Sequence, residues 1–325
     1  MYTGGIALYD GRCVGYYLDE ASTWGLRIEE LERSLAEARA QGTEVVALVF
    51  INPGNPTGQV LSYENVRDLI LFCIQEKLVL FADEVYQENV YDQGMEFVSA
   101  RKVLNDMGST HRDALELVSF HTTSKGAWGE CGLRGGYFEL TNVDPATADE
   151  LYKLASVNLS PNVPGQVAMG IMTNPPVPGD ASYPLFAEER DARIATLARR
   201  ARIITDGFNA CEGIVCQECQ GSMYSFPLLA MPPGALAAAE AAGVEPDVLY
   251  CLELLDATGI SSTAGSAFGQ VPGTFHLRVT ILPDEQVITQ MMEDFKKFHA
   301  NFMDAYRGGH GGRSTRGGVY AKAKL

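Results

Sequence analysis

The chain has 325 residues, of which 46% are hydrophobic, and this is enough to build the cores of two domains. Its net charge of −16 argues against a nucleic-acid partner, because binding to a phosphate backbone depends on clustered Lys and Arg. No apolar run reaches the length of a membrane span, and the first residues lack the pattern of a secretory signal. These features predict an intracellular protein that does not enter a membrane.

Helices and short apolar runs alternate in the early and middle part of the chain. Helical periodicity covers residues 26–39 and 62–76, and Ser62 is a good N-cap for the second of these helices. The apolar runs are residues 45–51, 78–82, 115–120 and 136–140. Such an alternation is typical of an α/β domain whose mostly parallel sheet is covered on both faces. We place this large domain at 1–180.

The remainder of the chain has a different pattern. A stretch rich in Pro and Gly at 174–179 precedes one long helical segment at 185–211, which predicts a connecting helix at 181–211. The strand-like runs that follow are 213–216, 223–229 and 275–282, and the helical segments are 246–258 and 284–303. This mixture predicts a smaller α+β domain at 212–305. The glycine-rich, basic tail at 306–325 is predicted to be disordered.

The seven cysteines are odd in number and scattered, which favours reduced thiols over a disulfide framework. Cys216 and Cys219 form the one close pair. Because neither a second pair nor a histidine cluster accompanies them, we predict two ordinary thiols and no metal site.

Three polar segments follow three successive apolar runs. Asn52-Pro-Gly-Asn-Pro-Thr-Gly58 comes after the first run, Asp83-Glu-Val-Tyr86 after the second, and Lys125 after the third. Ligands of open α/β sheets bind at the carboxyl ends of the strands. A pyridoxal phosphate enzyme needs an amine, a carboxylate for the pyridine nitrogen, donors for the ring hydroxyl, and cationic or hydroxyl groups for the phosphate. Alone, Lys125 also fits a surface lysine and Asp83 a helix N-cap; their combination favours the cofactor site.

The combination resembles the class I/II aminotransferases of the pyridoxal phosphate aspartate aminotransferase superfamily, and within it the alanine aminotransferases. The stretches that carry the resemblance are residues 50–60, 82–91, 123–137 and 221–227. The resemblance implies an aspartate aminotransferase fold, with a large α/β domain and a small C-terminal α+β domain. It also implies a homodimer that acts on amino acids and 2-oxo acids.

Residue by residue, the resemblance implies which side chains contact the aldehyde, the pyridine nitrogen and the ring hydroxyl of the cofactor. Lys125 bonds to the cofactor aldehyde and, once released by substrate, moves the proton between the substrate α-carbon and the cofactor. Asp83 pairs with the pyridine nitrogen and keeps it protonated. Tyr86 and Asn55 donate hydrogen bonds to the ring hydroxyl oxygen and favour its ionised form.

The resemblance also implies which residues bind the cofactor phosphate and the substrate carboxylate. Arg134 binds the cofactor phosphate, with Thr122 and Ser124 as hydroxyl partners. The family more often has serine at the position of Thr122. Arg278, within the strand-like run 275–282, binds the substrate carboxylate, because an arginine in an apolar strand is costly unless it is paired.

The sequence departs from the family pattern at its start. The family's chain begins upstream, with an arm, the first strand and helix of the large domain, and a glycine-rich phosphate turn, none of which is recognisable here. We therefore expect a chain that lacks the N-terminal part of the large domain and binds the cofactor more weakly. Residues 260–269 also differ from the more apolar, proline-containing run of alanine aminotransferases.

The predicted reaction is transfer of an amino group from L-alanine to 2-oxoglutarate, giving pyruvate and L-glutamate. Two alternatives stay open: another pyridoxal phosphate enzyme, of the cyclopropane-carboxylate synthase or carbon-sulfur lyase type, and an inert fragment with a dimerisation role. The predicted compartment is the cytoplasm, with the peroxisome as the alternative, because Ala323, Lys324 and Leu325 resemble a C-terminal peroxisomal address.

Overall fold

A computed structural model describes residues 2–126 and 128–308. Nearly all of the predicted disordered tail, including the triplet Ala323, Lys324 and Leu325, lies outside the described residues. As far as it is described, the chain divides into two compact units. The first comprises Met1–Asn55, Gln59–Ile194 and Gln220–Ser222, and the second comprises Pro56–Gly58, Ala195–Cys219 and Met223–Leu325. The domain boundaries predicted from the sequence stay predictions.

The first unit alternates helices and strands, as the apolar pattern predicts. Its helices are α1 (Tyr2–Leu8), α2 (Ile28–Ala40), α3 (Tyr63–Glu76), α4 (Ala100–Asp106), α5 (Ser109–Arg112), α6 (Pro145–Ser156), α7 (Val163–Thr173) and the beginning of α8 (Tyr183–Asn209), which continues into the second unit. Its strands are β1 (Ala47–Ile51), β2 (Val79–Asp83), β3 (Leu117–Thr122) and β4 (Gly136–Thr141).

The four strands form one sheet in the order β1-β2-β3-β4. The first three are parallel, with Ile51 opposite Asp83 and Asp83 opposite Phe120. Strand β4 pairs with β3 in the antiparallel direction. Among the described residues between β3 and β4 there is one short 3-10 turn and no α-helix, whereas a parallel connection usually requires a crossover helix. The mostly parallel sheet and the α/β class predicted from the sequence are confirmed.

Helix α3 shows how local signals and burial act together in this unit. The Ser62 hydroxyl accepts a hydrogen bond from the Asn65 amide at 3.2 Å, which caps the helix as predicted. The helix ends at Glu76 and is followed by Lys77, which adopts the left-handed conformation. The buried face of α3 belongs to the core under the sheet, together with side chains from β1 and β2. That face consists of Val66, Leu69, Ile70, Phe72 and Cys73.

The second unit contains the rest of α8, the helices α9 (Pro233–Ala242), α10 (Pro246–Thr258) and α11 (Glu285–Tyr306), and five short strands. These are β5 (Ile214–Val215), β6 (Tyr224–Ser225), β7 (Leu228–Leu229), β8 (Thr263–Ala264) and β9 (Leu277–Thr280). Strand β5 pairs with β7, and a second sheet has the order β6-β9-β8. The single strand predicted at 223–229 is thus two strands in two sheets. Pro227 lies between them and has no amide hydrogen to donate to a sheet.

A buried pair in the second unit joins α10 to α11. The Tyr250 hydroxyl lies 2.8 Å from Nδ1 of His299, and Nε2 of His299 lies 2.7 Å from the carbonyl oxygen of Glu212. Because a carbonyl only accepts, Nε2 carries the proton and Nδ1 accepts from Tyr250. The His299 ring also stacks on Phe295, with centroids 5.9 Å apart. Burial lowers the pKa of His299, so the ring stays neutral.

Candidate active site

The polar segments singled out in the sequence end three parallel strands of the first unit. Asn55 follows β1, Asp83 is the last residue of β2, and Lys125 follows β3. Because β1, β2 and β3 are parallel neighbours, these three residues lie at one edge of the sheet. This is the edge at which open α/β sheets bind ligands.

The turn that carries Lys125 lies against the segment after β2. Gly126 has a φ of +65°, and a Cβ added there would lie 3.3 Å from the carbonyl oxygen of Val85 and 3.4 Å from a carboxylate oxygen of Glu88. The backbone therefore approaches closely at a residue that has no side chain. Lys125 is half-buried in this turn, and Tyr86, in the adjacent segment, is buried.

The two oxygens of the Asp83 carboxylate differ in their hydrogen bonding. Its Oδ2 accepts a hydrogen bond of 2.9 Å from the Tyr2 hydroxyl, whereas its Oδ1 is buried without a hydrogen-bond partner in the described part of the chain. Burial raises the pKa of Asp83, and the hydrogen bonds from Tyr2 and from the Val85 amide oppose this effect. Burial and the Asp83 charge raise the pKa of Tyr2, so this hydroxyl stays protonated and donates. The carboxylate is therefore able to accept one further donor at Oδ1.

The hydroxyls beside Lys125 have different roles. Thr122 donates from Oγ1 to the carbonyl oxygen of Gly135 at 2.8 Å, and Thr122 Oγ1 itself accepts from the Ser124 amide at 3.1 Å. Ser124 Oγ lies 3.4 Å from Nη1 of Arg134, from which it accepts a weak hydrogen bond. Thr122 thus ties the strand end to the turn at 135, and Ser124 contacts the arginine.

Arg134 is exposed and has an unusual backbone. Its φ of +54° is left-handed, a conformation that costs a residue with a Cβ free energy. Its Nη1 donates to the carbonyl oxygen of Cys131 at 2.8 Å, which directs the guanidinium toward the turn after β3. The Arg134 carbonyl oxygen accepts from Nδ2 of Asn162 at 3.1 Å.

Two residues of this region were not singled out in the sequence. Asn162 caps α7, since its Oδ1 accepts from the Gly165 amide at 2.7 Å while its Nδ2 binds Arg134. An Asn one residue before a helix that has Pro at its second position is a recognisable start signal. Tyr2 gave no such signal, because its contact with Asp83 spans 81 residues.

Arg278 belongs to the second unit, on β9. Its guanidinium carbon lies 4.5 Å from the centre of the Tyr224 ring and 4.9 Å from that of Phe268. Its Nη2 also lies 3.4 Å from Oγ1 of Thr263 on β8. The two rings stabilise the charge through cation–π interactions. The predicted cost of an arginine in an apolar strand is thereby reduced.

Cys216 and Cys219 are buried thiols that form no disulfide bond among the described residues. Cys219 donates from Sγ to the carbonyl oxygen of Tyr224 at 3.0 Å, and Cys216 Sγ lies 3.2 Å from Oγ of Ser225. Across residues 2–126 and 128–308 no group of three His, Cys, Asp or Glu side chains is arranged to hold a metal ion. Over the same residues no helix is long and apolar enough to cross a membrane.

Comparison with known families places this chain among the aminotransferases. The model of the aminotransferase class I and II family matches residues 1–295, and the chain belongs to this family. Members of the family depend on pyridoxal phosphate and act on amino acids and 2-oxo acids. The resemblance deduced from the sequence is therefore confirmed.

Individual relatives agree with this assignment. The chain is 55% identical over 306 residues to glutamate–glyoxylate aminotransferase 1 of Arabidopsis thaliana, covering 94% of this chain and 64% of the relative. It is 51% identical over 307 residues to the mitochondrial alanine aminotransferase 1 of the same plant, covering 94% and 56%. The chain thus spans less than two thirds of the length of these relatives.

Solved structures confirm the fold class. An alanine aminotransferase from Pyrococcus furiosus superposes with a TM-score of 0.74 at 23% identity, covering 92% of this chain and 67% of that one. An aminotransferase from Escherichia coli gives a TM-score of 0.73 at 26% identity, covering 91% and 66%.

Proposed function

We propose that this chain is a pyridoxal phosphate-dependent transaminase that converts L-alanine and 2-oxoglutarate into pyruvate and L-glutamate. The observation that carries the proposal is Oδ1 of Asp83, which is buried without a hydrogen-bond partner among residues 2–126 and 128–308, at the strand edge that Lys125 shares. A buried acceptor without a donor is costly unless a ligand supplies the donor. A protonated pyridine nitrogen is such a donor, so the residues present fit the cofactor.

The other candidates match the remaining groups of pyridoxal phosphate. Lys125 would hold the cofactor covalently through its amine, and Tyr86 and Asn55 would donate to the ring hydroxyl oxygen. Arg134 and Ser124 would bind the phosphate, to which the guanidinium donates two parallel hydrogen bonds. Thr122, whose hydroxyl hydrogen is used on Gly135, would act as an acceptor and a support for the turn rather than as a phosphate donor.

The chemistry divides between the cofactor and the protein. When bound, the cofactor supplies an electron-withdrawing ring that stabilises negative charge on the substrate α-carbon. Asp83 would hold the proton on a bound pyridine nitrogen, because an ionised carboxylate in a buried site favours a cation beside it. Lys125 would take a proton from the substrate α-carbon at its Nζ and return it later. Arg278 binds the substrate α-carboxylate and orients the α-carbon.

The relatives favour two amino acceptors. The alanine aminotransferases support alanine as the amino donor, and the relative at 55% identity, named a glutamate–glyoxylate aminotransferase, supports glyoxylate as an acceptor beside the proposed 2-oxoglutarate. Both acceptors carry the carboxylate that Arg278 would bind. We further propose a homodimer located in the cytoplasm, with the peroxisome as the alternative compartment.

The test begins with the purified chain and added pyridoxal phosphate. After borohydride reduction, mass spectrometry is expected to find the cofactor mass on the peptide that contains Lys125, and Lys125→Ala to lack it. The matched control is Lys102→Ala, since Lys102 is an exposed lysine paired with Asp106. Pyruvate formation from L-alanine should follow the same pattern with either acceptor. Cofactor mass on other lysines in the absence of any on Lys125 would contradict the proposal.

A further inference from the structure

A buried carboxylate in the second unit anchors a hydrogen-bonded chain of side chains. Asp247 lies in the first turn of α10 and is fully buried. Its Oδ2 accepts from the Ser266 amide at 2.7 Å and from Nε2 of Gln270 at 2.8 Å. Its Oδ1 is buried without a hydrogen-bond partner among the described residues. A buried carboxylate is costly, so its two donors hold it in one position.

The chain of hydrogen bonds continues from Gln270 to His276. Oε1 of Gln270 lies 2.8 Å from Nδ1 of His276. Because the amide nitrogen of Gln270 faces the Asp247 carboxylate, its oxygen faces the imidazole and must accept a proton from Nδ1. The direction of every bond is therefore fixed, from His276 through Gln270 to Asp247, and the Nδ1-protonated tautomer of His276 follows.

There is little freedom for this arrangement to shift. The Gly265 amide donates to the carbonyl oxygen of His276 at 2.8 Å. A Cβ added at Gly265 would lie 2.4 Å from Oε1 of Gln270 and 2.7 Å from Cβ of His276. The backbone at 265 thus closes over the pair, and a glycine is required there.

Aromatic contacts connect His276 with Arg278. The His276 ring stacks on Phe226 with centroids 4.7 Å apart and an interplanar angle of 4°. Phe226 meets Phe268 edge to face at 5.8 Å, and the Phe268 ring lies 4.9 Å from the guanidinium carbon of Arg278. Phe268 follows Gly265 in the same short 3-10 turn. The ring that contacts Arg278 is therefore fixed from two sides, by the turn and by the His276–Phe226 stack.

We propose that Asp247, Gln270 and His276 are positioning residues for Arg278 and thereby set the affinity of the chain for the substrate carboxylate. This inference rests on the proposed function, in which Arg278 is the carboxylate ligand. Loss of the His276 donor leaves the Gln270 oxygen unpaired, lets the turn at 265–268 relax, and moves Phe268 away from the guanidinium. A displacement of about 1 Å at a binding group is sufficient to weaken a productive complex severalfold or more.

The variant His276→Phe tests this directly, since it keeps a ring on Phe226 and removes the Nδ1 donor. Its expected effect is a Kd for 2-oxoglutarate, measured by calorimetry on the full chain, about tenfold higher than in the parent protein. The KM for L-alanine should rise equally while kcat changes less than about twofold, because Arg278 binds the ground state and transition state alike. His276→Asn retains a donor near the Nδ1 position and should recover part of the affinity.

The matched control is His299→Phe. His299 is also a buried histidine of the second unit, stacked on a phenylalanine and hydrogen-bonded on both nitrogens, but it contacts Tyr250 and Glu212 rather than the Arg278 cluster. It should lower the melting temperature and leave the Kd unchanged. Equal changes of Kd in the two variants, or no change in His276→Phe, overturn the inference.

Two measurements keep the inference separate from the proposed function. In protein labelled with 15N-histidine, NMR should show His276 protonated at Nδ1, and Gln270→Leu should remove that hydrogen bond; an Nε2-protonated His276 overturns the inference even if a variant fails to fold. If the parent protein forms no pyruvate but His276→Phe still weakens 2-oxoglutarate binding, the function falls and the inference stands. If pyruvate forms and the Kd is unaffected by His276→Phe, the proposed function stands and the inference falls. A parent protein that does not bind 2-oxoglutarate overturns both.

Discussion

The Tyr2 hydroxyl donates to one oxygen of the Asp83 carboxylate at 2.9 Å, while the other oxygen is buried without a donor in the described part of the chain. The two oxygens are therefore not equivalent. One accepts a hydrogen bond from Tyr2, and the other is the oxygen proposed to accept from the pyridine nitrogen of the cofactor. Tyr2 also opposes the rise in the pKa of Asp83 that burial causes, so it helps keep the carboxylate ionised.

Replacing Asp83 and Tyr2 one at a time should separate the effect of the carboxylate charge from the effect of the hydrogen bond that Tyr2 donates to it. Asp83→Asn removes the charge and is expected to lower kcat by on the order of 10²–10³-fold, as the loss of one preorganised electrostatic group does elsewhere. Tyr2→Phe keeps the charge but raises the pKa of Asp83 further, so the acid limb of kcat/KM against pH should move to higher pH. Tyr16→Phe is the control, because Tyr16 donates to the Val49 carbonyl. An acid limb that moves equally in Tyr16→Phe contradicts the assignment.

Asn162 is expected to affect both stability and cofactor binding. Asn162→Ala removes the cap of α7, which should lower the free energy of unfolding by ~1 kcal/mol. It also removes the donor to the Arg134 carbonyl, so the Kd for pyridoxal phosphate, followed by fluorescence titration, should rise. Asp144→Ala is the comparison, since Asp144 caps α6 through the Thr147 amide at 3.0 Å. It should lower the free energy of unfolding by a similar amount and leave the Kd unchanged. An equal rise of the Kd in both variants would mean that Asn162 affects cofactor binding only through stability.

Two glycines of α7 should respond to alanine in opposite directions. A Cβ at Gly165 would lie 2.9 Å from the Leu133 carbonyl oxygen and 3.0 Å from that of Arg134, whereas a Cβ at Gly170 meets nothing within 4 Å. Gly165→Ala is expected to destabilise by ~1–3 kcal/mol through crowding. Gly170→Ala should stabilise by ~0.5–1 kcal/mol, because alanine is the better helix former. Denaturant unfolding checks both, and the same sign for the two variants would refute the close packing at 165.

The buried Glu84 predicts a pH-dependent stability. Burial raises the pKa of Glu84 to about 7, helped by the charge of Asp83 and opposed by the hydrogen bond from the Ala100 amide. The unfolded side chain has a pKa of ~4.3. Between these values the folded chain keeps a proton that the unfolded chain releases, so this residue lowers stability as the pH rises from ~4.3 to about 7.

Glu84→Gln removes this titration and keeps an oxygen for the Ala100 amide. Its melting temperature should exceed that of the parent protein by a few degrees at pH 8, and the gain should disappear near pH 4. The exposed Glu44→Gln serves as the control and should change little at either pH. A gain of equal size at both pH values would show that the pKa of Glu84 is not raised.

The elements that the sequence predicted are those with a one-sided apolar pattern or a clear cap. Helices α3 and α10 begin where Ser62 and Pro246 indicated. Helices α6 and α7 were not predicted. None of the α6 residues is buried, and its apolar residues Leu151 and Leu154 are exposed. Helix α7 contains Gly165, Gly170 and a proline, which resemble loop residues.

The candidate site also has residues that the sequence predicts and supporting contacts that it does not. Strand order and polar residues at strand ends sufficed to bring Asn55, Asp83 and Lys125 to one edge. The supporting contacts join residues far apart in the chain, and no local pattern encodes them. Tyr2 is 81 residues from Asp83, and Asn162 is 28 residues from Arg134. Such pairs depend on tertiary packing, which propensity and periodicity do not report.

The left-handed backbone at Arg134 lowers stability at the residue that we propose binds the cofactor phosphate. Glycine and asparagine adopt a φ of +54° at less cost than arginine does, and the difference is ~1 kcal/mol or more. A library of variants selected only for heat resistance is therefore expected to enrich Arg134→Gly or Arg134→Asn, whereas selection for growth that requires amino-group transfer should retain the arginine. Opposite outcomes of the two selections would show, without a structure, that the arginine lowers stability but is required for amino-group transfer.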